Sequence, residues 1–170
     1  MQAIVILAAP AVAQHAQPYV GMEQRDVKAL SSQQIADLKA GRGMGLALPA
    51  ERNGYPGPMH VLELADKLEL SDQQRAQTSA LFDSMKAEAV TVGERLIREE
   101  ADLDRAFATK AVTTETLAAS TAAIGVTQAE LRHTHLKYHL STAALLTAHQ
   151  VQRYGELRGY NQAGMRHGRH

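Results

Sequence analysis

Residues 72–108, DQQRAQTSALFDSMKAEAVTVGERLIREEADLDRAFA, contain no proline and a single glycine, Gly93. Their apolar positions Leu81, Met85, Val92, Leu96, Leu103 and Phe107 step by 4, 7, 4, 7 and 4, an eleven-residue repeat. Eleven residues in three turns is about 3.67 per turn, so the repeat predicts one long, nearly straight helix with its apolar seam on a single face. After a break at residues 109–113, Leu117, Ile124, Leu131, Tyr138 and Leu145 recur every seventh residue and mark a second long helix. Two long helices with one-sided seams and so short a connection fold back as an antiparallel hairpin.

The surroundings agree. All five prolines lie before residue 59, and between Met59 and Tyr154 the only glycines are Gly93 and Gly125. Pro costs about 3 kcal/mol and Gly about 1 kcal/mol inside a helix, so residues 59–154 can run as helix while residues 41–57, GRGMGLALPAERNGYPG, cannot. Short helices are expected at 31–40, closed by Gly41, at 59–68, opened by Pro58, and at 148–158, closed by Gly159. The chain is rich in Ala (29) and Leu (19) and poor in aromatics, with two Phe, five Tyr and no Trp. That composition argues against sandwiches and barrels. The expected fold is all-α: a long antiparallel helical hairpin with short flanking helices and an extended N-terminal segment.

Lys and Arg number 18, as do Asp and Glu, so the formal net charge is zero and neither a nucleic acid nor an anionic membrane is an expected partner. The absence of Cys excludes thiol catalysis, disulfides and Cys-ligated metal centres. Residues 3–13, AIVILAAPAVA, form an uncharged apolar run in the range of a signal-peptide core and short of the roughly 20 residues of a membrane-spanning helix. Ala11-Val12-Ala13 supplies a small-x-small cleavage pattern. The expected organisation is thus a signal at 1–13, an N-terminal extension at 14–57, a helical hairpin domain at 58–160 and a disordered tail at 161–170, in an exported, periplasmic protein.

Three helix starts share the form L-[ST]-x-x-Q: Leu30-Ser31 to Gln34, Leu70-Ser71 to Gln74, and Leu146-Thr147 to Gln150. Each is a capping box, in which the hydroxyl accepts from the N3 amide and the N3 glutamine reaches back to the cap amide. One precedes the first long helix and another follows the second. In a small, cysteine-free, helical chain this placement resembles the Spy/CpxP family with its LTxxQ motifs, and its relatives among CnrX-type periplasmic heavy-metal sensor and resistance proteins. The resemblance covers residues 58–160. It implies a bent helical protomer, commonly a cradle-shaped homodimer, that serves envelope stress as an ATP-independent chaperone or adaptor, or serves metal sensing.

Two functions follow as expectations. A chaperone or adaptor would receive unfolded client proteins or a membrane sensor protein on apolar side chains rimmed by charge, for which the candidates are Met59, Leu62, Leu81, Phe82, Met85 and Leu96, bordered by Lys86, Arg95 and Arg98. The balanced charge, with Glu99, Glu100, Asp102 and Asp104 clustered late in the first long helix, departs from the basic cradles of the family. The alternative is metal: His135 and His139 stand four apart on one helix face and could share a Zn, Cu, Ni or Co ion. His60 and Glu63 on the short preceding helix are the candidates to complete the set. No cofactor is required on the first reading. No catalytic motif occurs, and the acidic neighbours Glu99 and Glu100 face different directions on a helix, so an enzyme is not expected.

Overall fold

The computed structural model describes residues 19–160. The export signal read at 1–13 and the tail at 161–170 lie outside the described residues. The fold is all-helical and built on the hairpin. After a 3-10 turn at Met22–Gln24 come α1 (Ser32–Lys39), α2 (Leu48–Glu51), α3 (Pro58–Glu63), α4 (Asp72–Ala108), α5 (Thr114–Leu145) and α6 (Ala148–Leu157). The long helices α4 and α5 pack against each other along the molecule, with α1 and α3 on α4 and α2 on α5. No helix among the described residues is long and apolar enough to cross a membrane.

All three motif starts close as capping boxes, with Ser31, Ser71 and Thr147 each accepting from the amide three residues on. A fourth box, Thr113 with Thr116, starts α5. The motif pattern misses it because threonine replaces glutamine at N3. Helix α3 is shorter than its apolar periodicity suggests: regular helix stops at Glu63 and residues 64–69 continue as turns. Glu69 adopts a left-handed φ of 50° and the Leu70 amide bonds back to the Ala65 carbonyl, which reverses the chain just ahead of the Ser71 cap.

The two seams meet as read over most of their length. Met85, Val92, Leu96, Ile124, Leu131 and Tyr138 are buried, while Phe107 and Leu117 at the hairpin tip are exposed. The segment before Pro58 lies across the hairpin. Val27, Leu30 and Leu38 join Ala89, Val92, Leu96, Ile124 and Leu131 in one apolar cluster. Close approach is possible because α4 has no side chain at Gly93: a Cβ there would stand 2.8 Å from the Leu38 carbonyl oxygen. A second cluster, at the opposite end from the tip, gathers Val61, Ala65, Leu68 and Leu70 around Tyr154 of α6.

Candidate functional site

The leucines of the two flanking motifs sit in or against this second cluster, and the glutamines do more than cap. Gln74 Nε2 donates to Gln150 Oε1 at 2.8 Å while Gln150 Nε2 donates to Gln74 Oε1 at 3.1 Å. Each also reaches a carbonyl beyond its own helix start, Gln74 to Leu145 at 2.9 Å and Gln150 to Leu68 at 3.2 Å. The start of α4 and the start of α6 are therefore tied by a reciprocal amide pair in addition to their local caps.

Beside this joint lies a polar knot that sequence reading missed. Glu51, from α2, is buried. Its Oε1 accepts from the hydroxyl of Tyr154 and, at 3.0 Å, from that of Tyr160, and its Oε2 accepts from the Gly57 amide at 3.2 Å. Arg158 Nε stands 3.8 Å from the same carboxylate and His139 Nδ1 stands 3.7 Å away. Burial, and then the Glu51 carboxylate, push the Tyr154 phenol far above its usual range, so it is a fixed donor. The knot anchors the N-terminal segment to α5 and to α6 with the residues just after it. Glu51 gave no signal in the sequence because the stretch around it has glycines, prolines and no periodicity.

Between the N-terminal segment and the hairpin is a cavity of about 690 Å³. Met44 and Leu48 from the segment, Met59 from α3, and Phe82 and Met85 from α4 provide apolar wall; Arg42, Lys86 and Arg158 provide cations; His60, His135 and His139 are also present. Met44, Leu48 and Met59 remain 42%, 58% and 43% exposed. The cavity thus opens through an apolar mouth with two methionines, whose flexible thioethers adapt to differently shaped guests.

His135 and His139 are both buried on the cavity wall. His139 has a defined tautomer. Its Nδ1 lies 2.7 Å from the Tyr55 carbonyl, which can only accept, so Nδ1 is a donor and in the neutral ring the lone pair is on Nε2. A Cβ at Gly57 would lie 2.8 Å from Nε2 and Cε1 of that ring, so glycine makes room for it. His135 is held below the ordinary imidazole value, first by burial and then by His139 nearby, and stays neutral near pH 7. Its Nε2 is buried with no hydrogen-bond partner among the described residues.

The candidate side chains separate accordingly. Met59, Phe82 and Met85 line the cavity, with Met85 only 7% exposed. Leu96 lies in the first apolar cluster beneath the N-terminal segment and presents nothing to a client; Leu62 and Leu81 are half-buried outside the cavity wall. His60, His135 and His139 share the cavity, but His60 Nδ1 is 2.9 Å from Glu63, and Glu63 is not on the wall. Among the described residues no three His, Cys, Asp or Glu side chains are grouped so as to hold a metal ion. No family model, curated protein or solved structure matches this chain.

Proposed function

We propose that this chain is a Spy/CpxP-like periplasmic protein that binds apolar segments of unfolded polypeptides without ATP, as a chaperone or adaptor. The observation that carries the reading is the exposed cluster Met44, Leu48 and Met59 around the mouth of the cavity. Exposed apolar surface of this kind, rimmed by Arg42 and Lys86, suits weak and adaptable capture of side chains better than it suits one rigid ligand. The glutamine pair joining the two flanking motifs supports the resemblance, since it gives both copies of L-[ST]-x-x-Q one shared structural task. The test is suppression of aggregation of a denatured client by purified protein, with no nucleotide or metal. Wild type is expected to suppress it, and Leu48→Asp/Met59→Asp is expected to lose most of the effect while keeping its helical circular dichroism. No suppression by wild type at several-fold molar excess removes the reading.

One observation favours metal as the second reading. The Nδ1–H of His139 is committed to the Tyr55 carbonyl, the usual arrangement behind an imidazole whose other nitrogen ligates a metal, and His60 and His135 share the cavity with it. Titration with Zn²⁺, Cu²⁺, Ni²⁺ or Co²⁺ decides it. Affinity unchanged in His135→Ala/His139→Ala excludes this role.

A further inference from the structure

We propose that the cavity binds a small amphipathic monocarboxylate, its carboxylate held between Lys86 and the Nδ1–H of His135 beside Gly43 and its apolar tail laid among Met44, Met59, Phe82 and Met85. The head group sits on the inner wall and only the tail reaches Met44 and Met59 at the mouth, so the proposal does not depend on the mouth receiving polypeptide.

The polar end follows from hydrogen-bond accounting. A buried N–H without an acceptor is the rarer and costlier defect compared with an under-used lone pair. His135 Nε2 is buried without a partner, so the single proton of the neutral ring belongs on Nδ1. That nitrogen faces Gly43: a Cβ built at Gly43 would stand 3.5 Å from Nδ1 and 3.6 Å from Cε1. The missing side chain leaves space next to a donor that bonds to nothing among the described residues. An acceptor placed there satisfies the ring's one donor.

The charge of that acceptor follows from its neighbours. Among the described residues, three cationic side chains, Arg42, Lys86 and Arg158, line the cavity against one carboxylate, Glu51. Glu51 is already used by Tyr154, Tyr160, the Gly57 amide and Arg158. Arg42 is paired with Asp37 at 2.5 Å, whereas Lys86 makes no ion pair among the described residues. An anion is therefore favoured, and one carboxylate matches one free ammonium and one imidazole N–H. The tail follows from the thioether and aromatic wall, which can follow an alkyl chain or a small ring, and a volume of about 690 Å³ is ordinary for a small-molecule site.

The experiment is calorimetric titration of the full chain at pH 7.5 with decanoate, below its micellar concentration, and with decyltrimethylammonium, which keeps the tail and reverses the charge. Saturable one-to-one binding of decanoate alone is expected. Lys86→Met should weaken it about tenfold, the typical effect of losing one charged contact. Gly43 has no left-handed φ, so larger side chains fit its backbone. Gly43→Leu fills the head-group space and should abolish binding; Gly43→Ala, whose methyl makes only ordinary contact with the ring, should weaken it and serves if the leucine variant fails to fold. A shift of the His135 ring ¹⁵N resonances on adding decanoate places the head group. Equal binding of the two amphiphiles, no saturable binding, or decanoate affinity unchanged in the Gly43 variants overturns the proposal.

Discussion

The two ends of the hairpin are made of the same two helices and differ in almost everything else. At the tip, beyond Asp104, α4 and α5 pack on each other without a third helix among the described residues, and Phe107 and Leu117 stay exposed around a short turn capped by Thr113. At the base, α3, α6 and the N-terminal segment converge, and carboxylate, phenol and amide groups are buried with their bonds made beside the His135 ring, whose Nε2 has no partner among the described residues. Seam residues alone thus suffice to align two helices, whereas a cavity requires polar groups held in place by chain segments distant in sequence. The candidate chemistry of this protein sits at the base.

The contrast can be broken most forcefully at Tyr154, which is 2% exposed and joins the apolar cluster to Glu51. Tyr154→Ala is expected to destabilise the fold by about 3 to 5 kcal/mol, measured by urea denaturation. Gln150→Ala should cost about 1 to 3 kcal/mol, because it strips the Gln74 side chain and the Leu68 carbonyl of partners as well as weakening the α6 cap. A pH series sharpens the comparison further. The folded-state value of His135 lies below the ordinary imidazole value of about 6.5, so as pH falls through that region the unfolded chain takes up the proton first. Stability should then decline from pH 7.5 to 5.5, with a shallower decline in His135→Phe, seen in the urea midpoint. At the tip, by contrast, Phe107→Ala should change stability by no more than about 0.5 kcal/mol.

How much of this was legible follows the same division. The repeats of α4 and α5 are local patterns and predict both helices, their seams and the turn between them. The three capping boxes with glutamine at N3 were legible for the same reason, a residue type at a fixed offset, and the fourth, with Thr116 there, was not. Two local readings misled: Leu64 and Leu68 continue the period of α3 past Glu63, where regular helix stops ahead of the reversal at Glu69, and Leu96, on the predicted seam, is covered from outside by Val27, Leu30 and Leu38. Glu51 was invisible because it acquires its role from Tyr154 and Tyr160, 103 and 109 residues later. His135 and His139 were legible as a pair, but not the Tyr55 carbonyl that sets one tautomer or the Gly43 gap beside the other ring.

The mutual amide clasp of Gln74 and Gln150 links sites 76 residues apart, yet each partner also begins a helix. Loosening one end should therefore let go of the other, so that the first turns of α4 and α6 fray as one event instead of two. In hydrogen exchange the amides of Gln74 and Gln150 should share a single opening free energy, and this holds the last helix to the first half of the hairpin as one cooperative unit.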